Sequence, residues 1–146
     1  MQKRDWTLLV IGAAGGKKVS PVQLQKALFL VSKTLKPKQR QTSTFYRFKA
    51  YDYGPFCSEV YSDAEALKEA GLVSITCQEF SFRHYAATDD GQKKAQELRG
   101  ELDPEVAAYL DDLVLWVRSL SFVQLVQAIY KMYPAMKANS IFQEPA

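Results

Sequence analysis

The chain has 146 residues, a formal net charge of +3 and an apolar fraction of 47%, which are ordinary values for one globular domain with or without an extension. Its apolar runs are far shorter than the roughly 20 residues that span a bilayer, so we expect no membrane segment. The apolar run at residues 8–11 is too short for a secretory signal. Two isolated cysteines and a single histidine predict no metal site, no cofactor and a reduced, cytoplasmic protein.

The small net charge hides a strong asymmetry along the chain. Residues 1–50 carry eleven Lys or Arg against one acid, a net charge of +10. Residues 51–112 carry five basic residues against fourteen acids, a net charge of −9, and residues 113–146 carry three against one. The basic and acidic halves can contact each other, another subunit or a partner. Only the basic half carries the positive charge that favours binding of a nucleic acid.

Two helices are predicted in the first 35 residues. An apolar face recurs at helical spacing over residues 4–14 and ends at a pair of glycines. The second helix has good start signals, with Ser20 as N-cap and Pro21 at the first helical position. It ends before the next proline, since proline disfavours helix at the preceding residue. Gln25 and Lys26 lie on the face of this helix opposite its apolar residues.

The middle of the chain predicts a loop, a short strand, a turn and a third helix. Residues 36–44 form a polar basic loop, and aromatic and basic residues alternate over residues 46–50 as in a strand. The chain then turns sharply at Gly54-Pro55. A helical stripe that stops at Gly71 follows, and its apolar residues are Phe56, Val60, Ala64 and Leu67.

The rest of the chain predicts a hairpin and three further helices. Residues 72–77 and 80–86 are rich in β-branched and aromatic side chains, and about four residues around 78 and 79 connect them. Three helices follow, with start signals at Thr88, Asp103 and Ser121. Residues 135–146 are predicted to be a loose tail. The predicted core includes Leu9, Leu24, Leu28, Val60, Leu67, Leu72, Leu113, Val114 and Ile129.

This order of elements predicts an α+β, mostly helical fold, namely a winged helix-turn-helix with a small antiparallel β-hairpin wing and a three-helix C-terminal extension. We expect a winged-helix core over residues 1–88, a helical extension over residues 89–134 and a tail over residues 135–146. A Thr-x-x-Gly step at residues 88–91 is typical of the join between wing and next helix. The extension is too apolar along one face to stand free, so we expect it to pack on the core or to form a homodimer interface.

Two stretches of the chain resemble a known family. Residues 23–30 resemble the "rLqKllFL" stretch, and residues 53–61 the "YGPfS.ely" stretch, of YwgA-like proteins, which are similar to the SocA/GepA-like (Panacea) domain. Residues 129–134, with Asn139 and Ser140, resemble the tail of the YwgA type. The resemblance covers roughly residues 5–141 and implies an intracellular protein. Panacea-type relatives serve as antitoxins that bind unrelated toxins, and one is a proteolytic adaptor, whereas YwgA-like members have no settled activity.

The third helix is acidic where an ordinary winged helix reads the major groove. Its exposed face carries four carboxylates against Lys68, and phosphates would repel them. This face is either an acidic surface for a basic partner protein or a solvated surface, and docking as a recognition helix is the weakest interpretation. The carboxylates are those of Glu59, Asp63, Glu65 and Glu69. The predicted partner-binding residues are Tyr53, Gly54, Pro55, Glu59, Asp63 and Glu69.

The basic segment over residues 36–49 interleaves cations with aromatic rings, a pattern that single-stranded nucleic acid binding requires. Alternation within a strand would instead bury some of the rings and leave the charges solvated. A surface for a protein partner or for self-association is a third interpretation. The residues predicted for the DNA- or RNA-binding alternative are Lys36, Lys38, Arg40, Arg47, Lys49 and Arg83.

No convergent catalytic set is visible in the sequence. The glycines over residues 12–16 fail the phosphate-loop pattern, because Lys18 stands where Ser or Thr would bind magnesium. His84 lacks a nucleophile in a recognisable elbow. We therefore predict no enzyme but an intracellular protein-interaction module, either antitoxin-like or a regulatory adaptor. A winged-helix regulator that binds DNA or RNA through its basic half is the alternative.

Overall fold

A computed structural model gives the fold of the chain and describes residues 1–77 and 83–143. These residues form seven α-helices and two antiparallel hairpins of two strands each. The fold is therefore α+β and mostly helical, as the sequence predicted at this coarse level. Within the described residues, every helix is too short or too polar to cross a membrane.

The first half of the chain contains helices α1 (Lys3–Ala13), α2 (Pro21–Thr34) and α3 (Pro37–Arg40), strands β1 (Lys49–Tyr51) and β2 (Gly54–Phe56), and helix α4 (Ser58–Glu69). The second half contains strands β3 (Val73–Cys77) and β4 (Arg83–Ala87), helices α5 (Asp89–Gly100), α6 (Pro104–Ser119) and α7 (Phe122–Met132), and a 3₁₀ helix (Pro134–Lys137). Strand β1 pairs with β2, and β3 pairs with β4. The turn predicted around residues 78 and 79 lies outside the described residues.

Three of the four predicted helix starts, all but that at Asp103, form side-chain hydrogen-bonded caps. The Ser20 hydroxyl accepts a bond from the Gln23 N–H at 3.1 Å, and the Gln23 side chain accepts one from the Ser20 N–H at 2.9 Å. Ser121 and Gln124 repeat this reciprocal pattern at the start of α7. Since each pair satisfies two donors that a helix start leaves free, α2 and α7 begin where the sequence predicted.

Gly91 is required because α5 starts directly against β3. A Cβ at this position would lie 1.8 Å from the carbonyl oxygen of Leu72. Thr88 completes the join, since its N–H donates to that same carbonyl at 3.1 Å and its hydroxyl donates to the Gly71 carbonyl at 2.7 Å. The Thr-x-x-Gly step therefore combines a helix cap with a close approach of two backbones.

Helices α1 and α2 form the centre of the core. Helix α1 contacts α2, α4, α5, α6 and β4, whereas α2 also contacts α6, α7, β2 and β4. Because neighbours surround α2, its polar residues Gln25 and Lys26 are buried rather than solvated. The apolar faces of α6 and α7 are buried within the chain. All the predicted core residues are buried except Leu72, which is half-buried.

The segment between α2 and α4 differs most from the prediction. The expected strand over residues 46–50 is limited to β1, which pairs with a strand that the sequence did not predict, β2. Because Phe56 belongs to β2, α4 begins two residues later than its apolar stripe suggests. The expected loop contains the short helix α3, which Pro37 begins and the Gln39 side chain caps by accepting a bond from the Lys36 N–H at 2.8 Å.

The C-terminal segment packs on the β1–β2 hairpin, where the sequence predicted a loose tail. The Ile141 N–H donates to the Asp52 carbonyl at 2.9 Å, and the Asn139 side chain donates to the Ala50 carbonyl at 3.2 Å. The Ala50 carbonyl belongs to edge strand β1 and the Asp52 carbonyl to the turn after it, so both can accept bonds from this segment. Short polar segments carry no periodic signal for such contacts, so the prediction of a loose tail was wrong for residues 139–142.

Candidate binding cleft

Segments from α2, the β1–β2 hairpin and α4 meet around a cleft of about 170 Å³, which we call the lysine cleft. Lys26 and Gln25 line it from α2, Tyr53 and Gly54 line it from the hairpin, and Tyr61 lines it from α4. The predicted partner-binding residues Tyr53, Gly54 and Pro55 therefore lie together at one site. Residues 23–30 and 53–61, which are far apart in the sequence, supply most of its lining.

Lys26 is a buried cation that forms no ion pair with any described residue. The residue is 3% exposed, and its side chain has neither a hydrogen bond nor an ion pair with any described residue. Burial lowers the pKa of the Lys26 ammonium from 10.5 to about 8. The group is therefore still mostly charged at pH 7, although buried charges in folded proteins are normally paired.

Gly54 allows the hairpin to approach Lys26 closely. Its φ of +102° lies in the left-handed region that favours glycine. A Cβ at this position would lie 3.7 Å from the Lys26 ammonium nitrogen and 3.2 Å from a ring carbon of Tyr130. An alanine at this position would therefore press on the Tyr130 ring and come into van der Waals contact with Lys26.

Gln25 fixes the approach of α4 and the hairpin to α2. Its amide nitrogen donates to the Cys57 carbonyl at 2.9 Å, and its amide oxygen accepts from the Cys57 N–H at 2.9 Å. Gln25 and Cys57 are both buried, so loss of the Gln25 side chain would leave the Cys57 N–H without its acceptor, whereas the Cys57 carbonyl would keep the Val60 N–H at 3.2 Å. The width of the lysine cleft is thus set by a two-bond contact beside Lys26.

Aromatic rings form the rim of the site. Tyr51 stacks on Phe56 with ring centres 5.1 Å apart, and Phe56 meets Tyr61 edge to face at 5.6 Å. Tyr53 meets Phe122 of α7 edge to face at 5.2 Å. Tyr51, Tyr53 and Phe122 are 54%, 40% and 44% exposed, so ordered rings face solvent here.

A wider cleft of about 480 Å³, the aromatic cleft, adjoins the lysine cleft. The two share Val22, Tyr53 and Tyr61 as lining residues. His84 from β4 and Phe122 from α7 complete the wall of the aromatic cleft, whose exposed surface is mainly apolar. A buried cation and a large apolar surface therefore lie next to each other.

The predicted acidic face of α4 is partly engaged within the chain. Glu59 forms an ion pair with Lys3 of α1. A carboxylate oxygen of Glu65 lies 3.8 Å from a guanidinium nitrogen of Arg83 on β4. The cations of the basic N-terminal half and of β4 thus neutralise part of the charge that we expected a partner protein to meet.

The other two acids of the predicted partner site also lie apart from the lysine cleft. Asp63 accepts a hydrogen bond of 2.5 Å from the Tyr46 hydroxyl, which lies 2.7 Å from the Thr7 hydroxyl. Burial and the Asp63 contact raise the pKa of Tyr46. Glu69 is exposed near the end of α4 and pairs with no described residue. The six predicted residues therefore divide between the cleft and a separate helix face.

The structure corrects the placement of Arg40 among the predicted nucleic-acid contacts. Arg40 is 7% exposed, and its guanidinium donates to the Leu35 carbonyl at 2.7 Å. The same group lies over the Phe45 ring, 4.8 Å from its centre, so it belongs to the interior rather than to a basic surface. The other five predicted residues are exposed, namely Lys36, Lys38, Arg47, Lys49 and Arg83.

The cysteines, the histidine and the carboxylates of the described residues form no shared cluster. No three His, Cys, Asp or Glu side chains among residues 1–77 and 83–143 come together as metal ligands. Cys57 is buried beside Gln25, Cys77 is exposed, and His84 lines the aromatic cleft.

Lys26 is the residue that sequence reasoning missed. Its spacing on α2 placed it opposite the apolar face, where lysine is normally solvated. The one available signal was its position inside residues 23–30, the stretch that carries part of the family resemblance. That stretch and residues 53–61 meet at the lysine cleft.

Comparison of the chain with protein-family models, with curated proteins and with solved structures finds no match.

Proposed function

We propose that this chain is a non-catalytic intracellular protein-interaction module, antitoxin-like or an adaptor, that docks a segment of its partner in the aromatic cleft. One observation carries the proposal, namely the exposure of Tyr53 and Phe122, at 40% and 44%, on an apolar cleft of about 480 Å³. Rigid aromatic rings at a surface provide large contact area at low entropic cost, and they are enriched where proteins bind one another.

The proposal includes a winged helix of the YwgA-like type as the scaffold. The order of α1, α2, α4 and the β3–β4 hairpin supports this assignment. Val19 pairs with Tyr85 of β4, as a short first strand does with the wing of such domains. Helix α3 and the β1–β2 hairpin are then an insertion between α2 and α4, which correspond to the second and third helices of a winged helix. This insertion supplies Tyr53 and Gly54 to the lysine cleft.

The decisive experiment is site-specific photo-crosslinking followed by reconstitution. A photoreactive residue at Tyr53 should capture one protein in cells, whereas the same residue at Leu115, which is 70% exposed on α6, should not. With the captured protein purified, Phe122→Ala should weaken its binding at least tenfold, as expected for a central aromatic contact. Leu115→Ala should leave the affinity unchanged. An affinity that survives both Tyr53→Ala and Phe122→Ala would contradict the proposed docking surface.

Nucleic-acid binding is the second candidate, and one observation favours it. Lys36, Lys38, Arg47 and Lys49 are exposed, and none of them forms an ion pair with a described residue. Free cations of this kind are available for phosphates. Submicromolar binding to duplex or single-stranded DNA that falls steeply with salt, and that is abolished by neutralising these four residues, would establish this function. Absence of binding at low salt would leave the interaction module alone.

A further inference from the structure

We propose that the lysine cleft is a carboxylate-binding site, in which the Lys26 ammonium binds an acidic side chain of the docked partner segment. The residue beside that acid would be apolar and would occupy the aromatic cleft. This inference rests on the proposed docking function and specifies what the partner segment carries. It concerns a residue that the sequence placed on a polar helix face.

The first argument is that Lys26 has no ion-pair partner among the described residues. Lys26 is 3% exposed, lines the cleft and has no hydrogen bond or ion pair with any described residue. A charge in this position interacts strongly with an incoming ion, because little water is left to screen it. A ligand that supplies a negative charge at Lys26 therefore completes an arrangement that the described chain leaves incomplete.

The lining of the cleft favours a carboxylate over a phosphate. Asp52 also lines the lysine cleft, so Lys26 is accompanied by one negative charge. A doubly charged phosphate would meet more repulsion from Asp52 than a carboxylate would. The volume of about 170 Å³ suits a carboxylate with its methylene groups, and it is too small for a nucleotide.

The junction of the two clefts favours a peptide segment as the source of the carboxylate. Val22, Tyr53 and Tyr61 belong to both linings, so a chain that fills the aromatic cleft with one side chain directs its neighbour toward Lys26. The exposed ring of Tyr53 at the junction would contact the backbone of that segment. A free small acid would occupy the lysine cleft and leave the aromatic cleft empty.

The binding should depend on pH in a defined direction. The charged or titratable groups that face Lys26 are Asp52, Tyr51 and Tyr53 of the hairpin, Tyr61 of α4, and Tyr130 of α7, whose ring lies beside Gly54. Burial lowers the pKa of Lys26 to about 8 and raises the pKa of Tyr61. As pH rises from 7 to 9, Lys26 loses its proton, so the preference for an acid should fall about tenfold.

The test compares the dipeptides acetyl-Phe-Asp-amide and acetyl-Phe-Asn-amide, with binding followed by the amide shift of Gly54 in NMR spectra. At pH 7 the wild-type chain should bind the Asp peptide at least tenfold more tightly than the Asn peptide. Lys26→Met should remove this preference, and Lys26→Gln serves as a second variant if the first does not fold. Asp52→Asn should increase the preference, because it removes the repelling charge.

Several outcomes would overturn the proposal. Equal affinity for the two dipeptides, or a preference for the Asp peptide that survives in Lys26→Met, would exclude Lys26 as the binding group. Tighter binding of inorganic phosphate would exclude carboxylate selectivity, and phenylacetate binding as tightly as the Asp peptide would exclude a peptide source. If a reconstituted partner is sensitive to Phe122→Ala but not to Lys26→Met, the carboxylate site fails while the docking function remains.

Discussion

Two buried cations, Arg40 and Lys26, lie near opposite ends of α2 and differ in the contacts that they make. Arg40, beyond the C-terminal end of α2, is 7% exposed, donates to the Leu35 carbonyl and lies over the Phe45 ring. Lys26, in the first half of α2, is 3% exposed and has no such contact with the described residues. Burial alone therefore does not distinguish a structural cation from one available to a ligand, whereas the partners of each cation do.

The two environments explain the difference. Arginine carries several donors in a planar group, so Arg40 can bond to a carbonyl and face a ring at the same time. The Lys26 ammonium lines a cleft instead, and a Cβ added at Gly54, the first residue of β2, would reach van der Waals distance of its nitrogen at 3.7 Å. Arg40 should therefore matter mainly for stability, and Lys26 mainly for binding.

The largest expected effect is that of Arg40→Met. Its loss leaves the Leu35 carbonyl without its donor and removes the contact with Phe45, so the free energy of unfolding should fall by about 3–4 kcal/mol. Urea denaturation monitored by circular dichroism measures this change. Lys38→Met is the matched control, because Lys38 is exposed, and its effect should stay within about 0.5 kcal/mol. A loss below about 1 kcal/mol for Arg40→Met would remove the distinction between the two cations.

The next effect is the pH dependence that Lys26 imposes on stability. Between pH 8 and 10.5 the unfolded chain holds the Lys26 proton and the folded chain releases it. The free energy of unfolding of the wild type therefore increases as the pH rises through this range. Lys26→Met should therefore be more stable than the wild type at pH 7, by up to about 3 kcal/mol, and this advantage should shrink toward pH 10.5. Denaturation of both proteins across this range measures the difference. An advantage independent of pH would show that Lys26 is not charged inside the fold.

Gly54→Ala should have an intermediate effect. The substitution strains a φ of +102° and places a methyl group 3.2 Å from the Tyr130 ring, so we expect a loss of about 2 kcal/mol. Gly71→Ala is the control, because Gly71 has a φ of +79° but open space around its Cβ position, and it should lose about 1 kcal/mol. Equal losses in thermal or urea unfolding would mean that the hairpin is not held closely against α7 and Lys26.

The smallest effect is expected for Glu59→Gln. Lys3 and Glu59 form an exposed pair, in contrast with either buried cation, and such pairs contribute less than about 1 kcal/mol. The change in unfolding free energy should fall further when the salt concentration is raised, because exposed charges are screened. A loss as large as that of Arg40→Met would place the acidic face of α4 among the structural contacts rather than at the surface.

The candidate site was only partly predictable from the sequence. The sequence placed the turn at Gly54-Pro55, since glycine followed by proline is typical of a turn, whereas the hairpin turns at residues 52 and 53 and Gly54 begins β2 with a φ of +102°. The acids of α4 were grouped with this turn because the two regions adjoin along the chain, yet Glu59 and Asp63 contact α1 and Tyr46 instead. Sequence proximity does not reveal which direction a side chain takes once its helix packs.

The sequence by itself determined six of the seven α-helices of the described residues and most of their starts, because helical periodicity and capping act between residues three or four positions apart. Ser20, Thr88 and Ser121 illustrate this, since each caps a helix through a residue three positions on. Only the tertiary structure decided the pairing of β1 with β2, the docking of residues 139–142 and the burial of Lys26. Those features depend on segments far apart in the chain, and no local pattern encodes which free carbonyl or which cation such a segment will meet.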